Sequence, residues 1–186
     1  MDLTNLKELL VNGIKLVELY VNGVLVWMAK TFTNLVPISV DTDGSIYNGV
    51  GYKENVRLSS SGGISSSAQS GSVTTGFIPW NGDGDILRLK GVEWITAPSS
   101  GHFYFNFYDA DKKFIIYTSS SIWNQGSIDH ILMATRDEDG VETFVWNKEY
   151  GTTNSLLQGV RSAKFIRITA YGSGADMIVT INEEIA

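Results

Sequence analysis

Flat aromatic rings beside amide and guanidinium groups are what proteins use to hold a sugar. The ring takes the C–H face of a pyranose, and the polar groups take its hydroxyls. One stretch of this chain has that make-up: His102–Tyr108, HFYFNFY. As a strand it divides into two phases. Phe103, Phe105 and Phe107 fall on one, and His102, Tyr104, Asn106 and Tyr108 on the other. The phenylalanines are expected in a core, with the Tyr104/Asn106/Tyr108 row on the opposite face. Arg167, out of phase with Ile166 and Ile168, can line the same face or an adjacent one. Trp80, Trp123 and Trp146 are candidates for its rim. The expectation is therefore a carbohydrate-binding face. The competing expectation is that the row packs under a loop or the N-terminal segment, because tyrosines bury well once their hydroxyls are paired.

Other chemistries find less to work with. Asp41-Thr42-Asp43-Gly44 begins like a calcium loop, and Asp41 and Asp43 are its weak metal candidates. The twelfth position from Asp41 is Tyr52 where an EF-hand has Glu, so an Asp-rich turn with Gly44 at positive φ is the simpler expectation. Asn81–Asp85 and Asp137–Gly140 are read as turns for the same reason. No other cofactor is expected. Glycoside hydrolysis needs two carboxyl groups across a scissile bond. Of the 20 acidic residues most sit at turns, and only Glu93 and Glu142 fall clearly within strands, where a solvated face is expected. There is no GxSxG and no HExxH, and His102 and His130 have no close carboxylate spacing. Nor is there a GxxxxGK[ST] loop. With no cysteine, thiolate metal sites, disulfides and cysteine nucleophiles are excluded. No catalytic residue is assigned, and the chain is read as non-enzymatic.

The elements that would position these residues read as all-β. The chain has 186 residues, 43% of them hydrophobic, enough for a sizeable core without covalent staples. Its net charge of −6 disfavours nucleic acid. The N-terminal MDLTNLKELLVNG lacks the basic start of a signal peptide, and no apolar run is long enough to cross a bilayer.

Residues 1–31 hold a repeat, Glu8–Val17 (ELLVNGIKLV) echoed by Glu18–Trp27 (ELYVNGVLVW). Each unit is strand, Asn-Gly, strand, which predicts two tandem hairpins. Such a module needs a surface to bury one face, so it is expected either to pack on the main domain or to dock onto another subunit. Met1–Leu9 is open to a short helix.

Residues 32–186 form the main domain. Its spine is Val73–Ile95, in which Asn81–Asp85 turns the chain into Ile86–Lys90. There Leu87 and Leu89 share the inward phase. Gly91 marks a slip, after which Val92 and Trp94 are expected inside. Asn34–Val40 reads as an edge segment because of Pro37, and Val56–Leu58 as a short strand. Ser59–Ser72, with eight serines and three glycines in fourteen residues, reads as a mobile surface loop. Phe114–Thr118, Ile128–Thr135 and Val141–Asn147 are further strands. Ser119–Ser127 is a loop, and Ser155–Leu157 is open to a short helix. Lys164–Tyr171 and Met177–Asn182 read as a final hairpin. Roughly ten to a dozen short strands with regular turn signals predict an antiparallel β-sandwich of jelly-roll type, preceded by the short hairpin module.

Four segments together resemble a domain of tail-associated, minor structural proteins of phages and prophages of gut Firmicutes. They are Asn34–Gly62, Thr75–Trp94, Phe105–Phe114 and Lys164–Ile185. Glu18–Trp27 resembles a short module of phage tail proteins. Trp80 departs from the family-like pattern, which runs there through a small apolar residue. The resemblance implies a jelly-roll-like sandwich in a virion, made in the host cytoplasm, with cell-surface glycan as partner. Residues 1–31 would contact other tail subunits, and a homotrimer would fit fibre-like symmetry. The alternatives are a stand-alone bacterial carbohydrate-binding module and, as a minority reading, a glycoside hydrolase.

Overall fold

The computed structural model describes residues 9–11, 14–16, 18–21, 24–28, 32–65, 70–82, 84–93, 95–97, 100–119, 132–146 and 155–185. Near the start are two antiparallel pairs. Leu9–Val11 (β1) runs against Ile14–Leu16 (β2), with Val11 opposite Ile14. Glu18–Val21 (β3) runs against Val24–Met28 (β4), with Val21 opposite Val24. The gaps hold Asn12-Gly13 and Asn22-Gly23, residues suited to the positive φ of a two-residue hairpin turn. Those four residues lie outside the described set, as does Met1–Glu8.

The main domain is two antiparallel sheets face to face. The larger is built from Tyr52–Glu54 (β5), Ser72–Thr75 (β6), Ile78–Pro79 (β7), Tyr104–Tyr108 (β11), Phe114–Ser119 (β12) and Phe165–Tyr171 (β15). Its order is β12-β11-β15-β6-β5, with β7 also on β15. The smaller contains Leu87–Lys90 (β8), Leu132–Arg136 (β13), Glu142–Trp146 (β14) and Ile178–Ile181 (β16), in the order β13-β14-β8-β16. Ile95–Ala97 (β9) and Ser100–His102 (β10) make a separate hairpin, and Ser155–Ser162 is a two-turn helix (α1). Every described strand pair is antiparallel.

Period-2 patterning makes the core. On β11 and just before it, Phe103, Phe105 and Phe107 are fully buried. Leu87 and Leu89 of β8, Phe144 and Trp146 of β14, and Ile166, Ile168 and Ala170 of β15 meet them between the sheets. The rings interlock edge to face, with Phe105 to Phe144 at 5.2 Å and Phe107 to Trp146 at 5.3 Å between centroids. Val92 is buried as the phase slip at Gly91 requires. Gly91 itself is fixed by geometry: its φ is +76°, and a Cβ there would lie 1.9 Å from the Asp176 carbonyl oxygen. Trp94 has no described side chain.

Several sequence expectations need correction. Asn34–Val40 is not a strand; only Val40 makes isolated bridges, to Ile46 and Phe77. Val56–Leu58 is likewise reduced to one bridge from Leu58 to Ile64, and the strand in this region is β5 instead. The final hairpin does not exist: β15 lies in the large sheet and β16 in the small one, against β8. Gly172, at φ +141°, and the turn from Ser173 to Met177 carry the chain across the sandwich. The helix is longer than the sequence suggested. It seats Val160 in the core, with Ala163 just beyond its end, and the Trp80 indole N–H donates to the Val160 carbonyl at 3.2 Å.

Candidate functional site

The outer face of the large sheet is where the sequence placed a sugar site. That face carries Thr74, Thr169, Tyr104, Asn106, Tyr117 and Arg167, the residues out of phase with the core. Asn106 sits between Tyr117 on β12 and Arg167 on β15 in the cross-strand register. Most of it is covered. The segments on either side of β5 lie over it as a third layer, with buried Tyr47 against Arg167 and residues 56–62, including buried Leu58, over β6, β15 and β11. The anchors are mainly side chains of the sheet reaching backbone of the cover. Thr74 Oγ1–H donates to the Val56 carbonyl at 2.8 Å, and the Leu58 N–H donates to Thr169 Oγ1 at 3.0 Å. Asn106 Nδ2 donates to the Ser59 carbonyl at 2.9 Å, and the Tyr108 hydroxyl donates to the Gly62 carbonyl at 2.6 Å. Part of the serine-rich stretch is thus a tight turn, Ser59–Gly63, fastened to the sheet. Gly62 is required there, because at φ +93° a Cβ would meet the Phe114 ring at 2.4 Å.

This corrects the placement of most expected site residues. Asn106, Tyr108 and Arg167 are 0%, 2% and 5% exposed, so they do not form an open sugar face. The row packs under a loop, which was the competing expectation. Burial pushes the Tyr108 phenol above its usual range, partly offset by the Arg167 charge. Trp80 and Trp146 are core residues rather than a rim, 6.0 Å apart at 82°. Trp123 lies outside the described residues. Tyr104 alone of the row remains partly exposed, and it is stacked on Tyr117 with centroids 5.9 Å apart and planes 22° from parallel. Sequence reasoning missed Tyr117. Its signal was the alternation of Phe114–Ser119, but a bulge between Phe107 and Tyr108 sets the partner register and is invisible in the sequence.

Arg167 occupies an unusual setting. Its Nε–H donates to the Thr75 carbonyl at 3.1 Å. Its guanidinium carbon lies 5.1 Å from the Tyr47 ring centre and 4.9 Å from that of Phe77. Tyr47, which lies in sequence between Gly44 and Gly49, is a buried residue of a short 3₁₀ turn, Tyr47–Gly49.

The Asp41–Ser45 loop has the geometry of a capped turn. Asp41 Oδ1 accepts from the Thr42 N–H, and Asp43 Oδ1 accepts from the Ser45 N–H and hydroxyl. The Ser45 hydroxyl holds the Asp43 carboxyl below its usual range. The Lys112 ammonium donates to the Asp41 carbonyl at 2.7 Å while resting over the Phe77 and Phe165 rings. A cation of this chain thus already takes a main-chain carbonyl of the loop. No group of three or more metal-ligating side chains occurs among the described residues.

The strand carboxylates do not share a site face. Glu93 is exposed, as expected. Glu142 is 1% exposed instead of solvated, with Oε1 3.3 Å from the Arg136 guanidinium. Of the histidines, His102 belongs to β10, with no described side chain, and His130 lies outside the described residues. No described helix is long and apolar enough to cross a membrane. No family model matches the chain, and no curated protein or solved structure matches it either.

Proposed function

We propose that this chain is a non-enzymatic, tail-associated structural protein of a phage or prophage, and that its sandwich presents a small aromatic platform to cell-surface carbohydrate. The tail assignment rests on the sequence resemblance of residues 34–62, 75–94, 105–114 and 164–185. The tandem hairpins are the elements offered to neighbouring tail subunits. One observation carries the recognition reading: the near-parallel Tyr104–Tyr117 pair, partly exposed on β11 and edge strand β12. The two rings are stacked and only partly buried, so they leave apolar ring surface accessible at the sheet edge, the chemistry that suits a pyranose face.

A glycan array with purified protein tests this, run in calcium and again in chelator. Selective binding is expected, with about a tenfold loss for Tyr104→Ala or Tyr117→Ala, the equivalent of one ring contact. Absence of binding across a broad array, or binding equal in both variants, overturns the platform. The face would then be an interface with another virion subunit. A size measurement on protein lacking residues 1–30 tests the assembly role: the sandwich is expected to stay folded and its oligomeric state to change.

A further inference from the structure

Next to the tyrosine pair, under the cover, three polar atoms are buried without a hydrogen-bond partner: Arg167 Nη2, Tyr47 Oη and Asn106 Oδ1. They belong to one cluster. Asn106 and Arg167 are direct cross-strand neighbours, and the Arg167 guanidinium lies over the Tyr47 ring. All three residues are at least nine-tenths buried. A buried, unsatisfied polar atom is costly, and a buried cation without a counter-charge more so. Arg167 has no carboxylate partner among the described residues; the ion pairs there join Arg88 to Glu184 and Arg136 to Glu142.

The donor and acceptor pattern of the three atoms is specific. Arg167 Nη2 only donates. Asn106 Oδ1 only accepts, because the amide nitrogen is committed to the Ser59 carbonyl, itself able only to accept. Tyr47 Oη does either. A ligand that completes this set carries a negative acceptor for Arg167 and, close to it, a hydroxyl donor for Asn106. A bare anion would satisfy the arginine but leave the Asn106 oxygen facing negative charge. Water would satisfy hydrogen bonds and leave the charge unneutralised.

We propose that Arg167, Tyr47 and Asn106 form a receptor for a small hydroxycarboxylate, closed by the Ser59–Gly63 turn. Carboxylate oxygens accept from Arg167 Nη2 and the Tyr47 hydroxyl, and the ligand hydroxyl donates to Asn106 Oδ1. The turn that shuts the site is held by Asn106 and Tyr108, so uptake and the fastening of the cover share side chains. This site is independent of the Tyr104–Tyr117 reading and does not require that the protein bind glycan.

Calorimetric titration of the full chain with sodium glycolate, sodium acetate and neutral glycolamide, at constant ionic strength, tests it. Saturable glycolate binding is expected. Acetate should bind about tenfold more weakly, because it leaves Asn106 unsatisfied. Glycolamide should not bind. Tyr47→Phe keeps the ring and removes an unpartnered hydroxyl, so it should fold normally and bind glycolate more weakly. Asn106→Asp supplies an internal counter-charge and should abolish uptake. No saturable glycolate binding by the folded protein overturns the proposal, as does equal affinity in wild type and both variants. The three atoms would then be partners of buried water.

Discussion

Tyr108→Phe separates a residue that touches ligand from one that holds the cover on the sheet. The substitution keeps the ring, so packing on Phe77 (4.7 Å, 72°) and on Phe114 (6.0 Å) is retained. It removes one hydrogen bond, from the hydroxyl to the Gly62 carbonyl at 2.6 Å. A neutral buried bond of this kind contributes about 1 kcal/mol net, and more if its partner is left dry. For a chain of this size about 1 kcal/mol corresponds to a fall in Tm of roughly 2–4 °C.

A second arm uses pH. Burial raises the folded-state Tyr108 pKa above that of the unfolded chain. The group therefore contributes nothing to the pH dependence of stability below the unfolded tyrosine value of about 10. Above it the unfolded chain gives up a proton that the folded chain keeps, so stability falls as pH rises. Tyr108→Phe should flatten that alkaline limb. Thermal melts between neutral and strongly alkaline pH, with limited proteolysis of the serine-rich stretch, measure both arms. An unchanged Tm, alkaline limb and cleavage rate would refute the role of Tyr108 as a fastener.

Two further outcomes follow from local geometry. Gly91→Ala forces a side chain into a left-handed backbone conformation and against the Asp176 carbonyl, so a loss of at least about 2 kcal/mol is expected. A urea midpoint equal to wild type would mean that this backbone crossing is not tight. Melting in calcium and in chelator should coincide, because Thr42, Ser45 and Lys112 already engage the Asp41–Ser45 oxygens. A rise with calcium that Asp43→Asn removes would show that the loop binds metal.

The interior was legible because alternation is a strong constraint. Phe103/Phe105/Phe107 and Leu87/Leu89 each had one phase that could face a core, and both are buried on it. The outer face was not legible. Tyr104, Asn106 and Tyr108 have the same alternation whether water or backbone lies above them. What covers Asn106 and Tyr108 is a serine- and glycine-rich segment whose composition reads as exposed loop. Its short side chains are what allow its backbone to lie close to the sheet, and the bonds that hold it end on its backbone carbonyls and the Leu58 N–H, which leave no mark on sequence. Tyr47, buried among glycines, was hidden for the same reason. The β15–β16 connection failed differently. A glycine turn between two apolar runs looks alike whether the chain returns to its own sheet or crosses to the other.

That crossing has a consequence for how the protein is made. β15 lies between β11 and β6, and β16 pairs with β8, so residues 165–181 contribute to both sheets. During synthesis β6 and β11 emerge long before β15 can separate and join them. Their apolar phases and open strand edges wait for the late-made segment, a long-range closure that slows folding and exposes nascent chains to mispairing. A nascent chain stalled before residue 165 would hold the aromatic core residues of β11 and β14 without the strand that joins β11 to β6. Such a chain would depend on chaperones until translation resumed.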